Sequence, residues 1–470
     1  MGLNNKLIRF ILAYPNTPYI AMSALGWQYI YRELAIRGDV HCETLFLSDE
    51  QKLISHDIKQ AVKKADIIGF SIQYELDYIN VVKMLELADV PLKSIERNDS
   101  HPLIIAGGPA VSANPAPLSD FIDLFVLGEG EEIIHEIMDI IKNNDTLNKT
   151  ELLTLLQKQV NGLYVGAITG DYPDDKTKIR KVPDYAQRGC SSLFFTKDTE
   201  FPDTLLLELT RGCTQGCKFC LASYLYHPFR YADLDSVINT LEEKKRITNK
   251  VGLVGASICD YPELDKLCEY LLKNNWQAST SSLRIDKLKP SILELLHTSN
   301  NRMITVAIET GSEKLRKRIG KNITDEQILK GVEFIGKSGF KKLKVYAIFG
   351  LPEEKEEDIL ALINLFKQIQ KTGQKNGIKN LILNINPFIP KKLTPFQNVS
   401  MTSYKELLNK QTLLKKELTK FGVSVKGESI NWSIIQGKLA TGDKNMGEII
   451  FQMAQNRSGS IWKGILKTHK

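Results

Sequence analysis

Along the first 150 residues, short hydrophobic runs are separated by longer stretches with a helical repeat. LIRFILAY (7–14), CETLFL (42–47), ADIIGFSI (65–72), PLIIAGG (102–108) and DLFVLGEG (123–130) each have the length of one buried strand. Between them, SALGWQYIYRELAIRG and YINVVKMLELAD place apolar residues at the spacing of an amphipathic helix. This alternation predicts an α/β chain that opens with a doubly wound, flavodoxin- or Rossmann-like domain over 1–150. Ligands of such a domain bind beyond the carboxyl ends of its strands. Those ends are rich in glycine and small polar residues: FSIQYE (70–75), AGGPAVSANP (106–115) and LGEGEE (127–132). Each can be read as a tight turn or as a close approach of backbone to a bulky ligand.

Residues 151–200, with DYPDDKTK and the strand-like GLYVGAI, read as a linker containing a small hairpin, without assignable chemistry. From Thr204 a second alternation begins: TLLLELTRGC, VGLVGASI, WQASTSSLRI, RMITVAIETGS, KKLKVYAIFGLPEE and KNLILNINPFIP. Helical stretches such as EEDILALINLFKQIQ lie between these runs. Six strand–helix units predict a partial or complete parallel barrel over 201–390, with its site at the carboxyl ends of the strands. Over 391–470 the pattern is mainly helical, with SYKELLNKQTLLKKELTKFG as one helix and a strand-like SVKGESINWSII, and predicts a smaller, substrate-proximal unit packed on the barrel.

A chain of 470 residues, 43% hydrophobic and 25% charged, fits two or three globular domains and carries no repeat or low-complexity tract. The apolar run near the N-terminus is short and ends at Pro15, so it reads as a buried strand and not as a signal peptide. No apolar stretch nears the roughly 20 residues a membrane span needs, and a cytoplasmic protein is expected. The net charge of +7 permits a nucleic-acid or acidic partner without requiring one.

Of seven cysteines, Cys42, Cys190, Cys259 and Cys268 are scattered and read as small buried hydrophobes. Cys213, Cys217 and Cys220 instead cluster in RGCTQGCKFC, just past the first barrel strand, beside Gly212 and Gly216. Three thiolates on a flexible loop suit a [4Fe-4S] cluster with one iron left open to S-adenosylmethionine. Zinc is the competing reading. It normally takes four ligands in a closed site, and His227 is the nearest candidate for the fourth.

With Phe219 before the last cysteine, the motif resembles the CxxxCxΦC signature (Φ aromatic) of the radical S-adenosylmethionine superfamily. STSSLRID (279–286), VAIETGS (306–312) and YAIFGLPEE (346–354) resemble its later strand-end motifs. The resemblance implies that Ser282, Arg284 and Glu309 hold the ribose and methionine parts of the cosubstrate, and that Ile348 to Leu351 lie against adenine. GASICDYPEL (255–264) stands where the superfamily usually has a GGE-type motif.

The amino-terminal domain resembles the cobalamin-binding domain that precedes the barrel in cobalamin-dependent radical enzymes of a methyltransferase-like subgroup. The likeness implies a cobalamin site at Ser71, Gln73 and Tyr74, at Gly107 and Gly108, and at Gly128, Glu129 and Gly130. The DxHxxG signature, whose histidine ligates cobalt in many members, is missing. The corresponding turn, YPNTPYIAMSALG (14–26), holds no histidine. The resemblance implies a C-methyltransferase: a 5'-deoxyadenosyl radical removes hydrogen from an unactivated carbon, which then takes methyl from methylcobalamin. A protein or peptide residue, such as a glutamine of a methanogenic enzyme, is the expected target, and a ferredoxin- or flavodoxin-type protein the expected reductant. Methylthiolation-type modification of RNA is an alternative; such relatives carry a second cysteine triad ahead of the barrel, where this chain has only Cys42. A non-catalytic iron–sulfur or cobalamin carrier is another.

Overall fold

The computed structural model describes residues 7–54, 62, 64–170, 179–188 and 190–455, so DYPDDKTK lies outside the described residues. The chain divides into two compact units. The first runs to Pro183 and adds Ser192–Pro202 and the stretch that begins at Lys438; the second takes Asp184–Ser191 and Asp203–Gly437.

The first unit is built on seven strands: β1 (Ile8–Ala13), β2 (Val40–Leu47), β3 (Leu53–Ile54), β4 (Ile67–Ser71), β5 (Leu103–Gly107), β6 (Leu124–Val126) and β7 (Leu163–Tyr164). Their order is β3-β2-β1-β4-β5-β6-β7. The inner five are parallel, and β3 and β7 add antiparallel edges. The five parallel strands are those the apolar runs predict. Because the order reverses between β1 and β4, the crevice for a ligand opens beyond the carboxyl ends of these two strands. A Cβ at Gly69 would stand 2.6 Å from the Phe10 ring, so this glycine makes room for a large core side chain. Phe10, Trp27, Ile67, Leu124, Ile133 and Ile137 belong to one buried cluster that joins sheet and helices.

The end of the chain departs from the sequence expectation. The helix Met446–Gln455 belongs to the first unit, not to a separate unit on the barrel. Its Ile450 and Met453 are buried, a Cβ at Gly447 would lie 3.5 Å from Phe121, and Gln455 donates to Glu86 at 2.7 Å. The buried Asn114 amide donates to the carbonyls of Ala440 and Gly442 at 3.2 and 2.8 Å and fixes the approach to that helix.

In the second unit, β9 (Leu205–Arg211), β11 (Lys250–Gly255) and β12 (Gln277–Thr280) are parallel. So are β13 (Met303–Glu309), β14 (Lys342–Phe349), β15 (Asn380–Pro387) and β16 (Val423–Lys426). A parallel bridge between Leu283 and Val306 links the two groups into an open, partial barrel. Two short strands, β8 (Cys190–Ser191) and β10 (Arg230–Tyr231), pair antiparallel with β9. Along β14 and β15 buried residues alternate with half-buried ones, as in a sheet with helices against one face and a concavity on the other. SVKGESINWSII is strand only over β16. A Cβ at Gly427 would stand 2.0 Å from the Ile385 carbonyl oxygen, Glu428 donates its N–H to Asn386, and the helix Ile430–Thr441 follows.

Candidate active site

The cysteine loop leaves β9 through Gly212, whose φ of 81° and tight approach to the Tyr226 carbonyl admit no side chain. Its far side rests on the turn after the helix Glu313–Arg318. Lys218 donates its N–H to Ile319 O at 2.9 Å, and a Cβ at Gly320 would stand 2.6 Å from Gly216 O. That turn is in turn held by Arg316, which is fully buried and donates to Ile323 O and Thr310 O at 2.7 and 2.8 Å, with Asp325 as its ion partner. Cys217 is buried, while Cys213 and Cys220 are half-buried. Burial pushes the Cys217 thiol up to about 12; the Lys321 ammonium opposes this, and the neighbouring charges of Glu309, Cys220 and Cys213 add to it.

Among the described residues no three or more His, Cys, Asp or Glu side chains converge as they would on one metal ion, and His227 is exposed. A four-iron cube asks for something else, one thiolate on each of three irons. Three thiols close enough to feel one another's charge, on a loop with glycine at both turns, fit that requirement.

Around the loop the strand ends supply charge. Glu309, at the end of β13, is buried with φ at 68° and pairs with the buried Lys321 at 3.1 Å. Burial works against the Lys321 charge, but Glu309 and Cys217 outweigh it and raise its pKa above the ordinary range. Arg284 lies between two carboxylates, Asp260 at 2.8 Å and Asp286 at 2.6 Å. Asp260 also accepts from Ser257 at 2.5 Å and from Thr214 of the cysteine loop at 2.7 Å. Burial opposes its ionisation, yet these bonds and Arg284 hold the carboxyl below its usual range. GASICDYPEL thus contributes an acceptor, Asp260, that ties the loop to the Arg284 strand end.

Ile348 and Leu351 pack in one apolar cluster with Phe219, Ile319 and Phe388. Their turn is fixed by the buried Glu354, which accepts from the Gly350 N–H at 2.7 Å and pairs with Lys410 at 2.9 Å. Of the cosubstrate residues implied by resemblance, Arg284, Glu309, Ile348 and Leu351 stand at the strand ends with their partners, and Ser282 is exposed. Sequence reasoning missed Lys321, Asp260 and Thr214.

In the first unit, Ser71 is buried and accepts from Gln73 at 3.2 Å, and Tyr74 is exposed. Gly108, with φ 109°, lets the chain pass against Ile72 O, where a Cβ would stand at 2.4 Å. A Cβ at Gly107 would meet only Val126, at 3.6 Å or more, so space remains there. The LGEGEE turn serves the chain itself. Arg180 bridges Gly128, whose Cβ would strike its carbonyl at 2.2 Å, and Glu129 accepts from the Val182 N–H at 2.6 Å. Gly130 starts the helix Gly130–Asn143 and lies close to Ile30. In the turn after β1, Asn16 donates to Asp77 at 2.9 Å, and burial pushes that carboxyl up to about 7.

A three-cysteine loop at the end of the first strand of an open parallel barrel is the arrangement of radical S-adenosylmethionine enzymes. Residues 207–366 match the radical SAM superfamily, and residues 26–166 match the family described as radical SAM proteins, N-terminal. The chain belongs to the radical SAM superfamily, whose enzymes use a [4Fe-4S] cluster and S-adenosylmethionine.

The chain is 30% identical to an uncharacterized protein of Methanocaldococcus jannaschii, over 95% of this chain and 91% of that one. A putative methylthiotransferase of the same organism is 23% identical, over 63% and 64% of the two chains. Two solved structures of the cobalamin-dependent S-adenosylmethionine radical enzyme OxsB share the fold with TM-scores of 0.51 and 0.53, at 17% and 16% identity. They cover 88% and 95% of this chain, which spans 57% and 66% of theirs. Among the described residues no helix is long and apolar enough to cross a membrane.

Proposed function

We propose that this protein is a cobalamin-dependent radical SAM C-methyltransferase whose target is a protein or peptide residue. The observation that carries this reading is the coupling, in one chain, of a doubly wound unit to a three-thiolate barrel. Two solved structures that share this fold over most of the chain are of an enzyme named as cobalamin-dependent.

The groups supply the chemistry: the cluster an electron for cleaving a carbon–sulfur bond, and cobalamin a carrier for methyl. The residues of the chain hold and orient. Cys213, Cys217 and Cys220 would take three irons. Arg284 and Glu309, locked by their partners, would meet the polar parts of the cosubstrate, and the apolar wall of Ile348, Leu351 and Phe219 would meet its base and exclude water. Ser71, Gln73 and the open space at Gly107 would receive the cobalamin tail, whereas Gly128 and Glu129 act at one remove by anchoring the segment around Arg180. The turn beyond β1 offers Asn16, already engaged by Asp77, and no imidazole. A ferredoxin- or flavodoxin-type donor would deliver the electron.

The test uses protein produced in cobalamin-fed cells and reconstituted with iron and sulfide. Expected are corrinoid absorption bands, 5'-deoxyadenosine after reduction with S-adenosylmethionine, and a gene-dependent 14-dalton increment in cell extracts. Absence of corrinoid refutes the cobalamin reading, and absence of 5'-deoxyadenosine refutes the enzymatic one. Methylthiolation is the second reading, prompted by the methylthiotransferase relative. Against it, Cys42 is the only cysteine before residue 190 and stands alone in β2, its thiol pushed up to about 12 by burial.

A further inference from the structure

The concave face of the barrel carries a polar row that the cofactor reading leaves unused. Strand register sets Tyr346 of β14 beside Asn384 of β15, and Asn384 beside Lys426 of β16. These three side chains lie on the half-buried or exposed face of their strands, opposite the buried set Val345, Leu383 and Ile385. Lys344 shares that face, and its ammonium reaches along the strand to 4.9 Å from the Tyr346 ring, toward the carboxyl end. Ile348, one pleat or about 7 Å further along, is already part of the apolar wall beside the cysteine loop. In the same upper row Asn386 accepts the Glu428 N–H, and among the described residues its amide nitrogen has no acceptor.

The charge of this row is one-sided. Other lysines of the unit meet carboxylates: Lys321 meets Glu309, Lys410 meets Glu354, and Lys289 meets Asp265. Among the described residues Lys344 and Lys426 have no ion-pair partner, and the Asn384 side chain makes no hydrogen bond. The half-buried Lys344 ammonium loses part of its hydration, and an anion bound between it and the exposed Lys426 restores what hydration gave.

We propose that the wall formed by Lys344, Tyr346, Asn384, Asn386 and Lys426 anchors the substrate and that it takes an anionic group, a carboxylate or a phosphate. Bound there, the anion sets a neighbouring carbon of the same molecule at the level of Ile348, below the place of the cosubstrate. This deepens the proposed function and rests on it for the identity of the reaction, but not for the binding of an anion.

Two measurements test it. In the first, a strain lacking the gene receives the wild type, the double variant K344M/K426M or K344R/K426R, and both protein digests and small-molecule extracts are searched for the 14-dalton increment. The methionine variant is expected to lower the increment by about tenfold or more, since two charge-assisted bonds are lost, with iron content retained, and the arginine variant to restore much of it. The fraction that holds the increment tells a peptide carboxylate from a phosphorylated or carboxylated metabolite. An unchanged increment in K344M/K426M, or a modified molecule without an anionic group, overturns the proposal. The second measurement does not need the product. Purified holoenzyme is treated with pyridoxal 5'-phosphate, a lysine-reactive anion, then with borohydride, and the labelled peptides are mapped. Labelling of Lys344 or Lys426 ahead of fully exposed lysines, suppressed by inorganic phosphate, is expected; labelling no faster than the exposed lysines overturns the anion site. Absence of any increment in the wild type sinks the methyltransferase reading and leaves the anion site to be decided by the labelling.

Discussion

Asp77 is a carboxyl that the fold holds at a cost. It is buried beside β1 and β4, accepts from Asn16 and Asn80, and burial lifts it from 3.8 to about 7. Between those two values the folded chain binds a proton that the unfolded chain has released, so stability falls as pH rises through the window. Asp77→Asn, which keeps the shape and stays neutral, is expected to flatten this slope and to gain stability at pH 8; urea midpoints measured from pH 4 to 8 give the answer, and an unchanged slope would assign it elsewhere. Gly320 is the second residue whose environment dictates an outcome. With φ at 79° and Gly216 O only 2.6 Å from where a Cβ would sit, Gly320→Ala must push the cysteine loop or strain its own backbone. Reconstituted Gly320→Ala is expected to hold clearly less iron per chain than the wild type, and full iron would show that the loop yields without loss. Such positions explain what was legible at this scale. Cys213, Cys217 and Cys220 announce themselves by spacing, whereas Lys321 and Asp260 act through partners 12 and 46 residues away along the chain, and no local pattern records such a pairing.

At the level of elements, apolar runs mark the longer parallel strands, both those buried on two faces, such as β4 and β9, and those buried on one, such as β14 and β15. The five parallel strands of the first unit and the six expected in the barrel follow the runs, because hydrophobic burial selects them. The short edge strands β3, β7, β8 and β10 are two residues each; β7 falls in the strand-like GLYVGAI, and the other three carry no such run. SVKGESINWSII misled because the apolar residues of its second half, Ile430, Trp432, Ile434 and Ile435, fit the spacing of a strand as well as that of the helix they form. The destination of the helix Met446–Gln455 was equally hidden, since its sequence shows an apolar face but not the surface that receives it. Asn114 gives that docking a testable handle. Its buried amide serves two carbonyls of the approach, so Asn114→Ala leaves both unsatisfied and is expected to cost about 1–3 kcal/mol. Limited proteolysis should then cut near Gly442 sooner than in the wild type; equal cutting rates would mean that helix packing alone holds the end.

For the whole molecule, the residues proposed to hold the two metal-bearing groups fall in different compact units. Cys217→Ala is therefore expected to lose iron and retain corrinoid absorption, read by iron analysis and an ultraviolet–visible spectrum of the same sample. Loss of both together would mean that the two sites depend on one another.

The composition of the first unit also fixes an order of events during synthesis. Its sheet is translated before the barrel and the helix Met446–Gln455 after it, with the barrel sequence between them. Until that helix emerges, the face of Tyr78–Leu87 that it covers is bare and the Asn114 amide lacks the Ala440 and Gly442 carbonyls. A ribosome that stalls within the barrel thus holds a doubly wound domain that is nearly whole but unsealed, and quality-control proteins would meet that bare helix face before Met446–Gln455 is made.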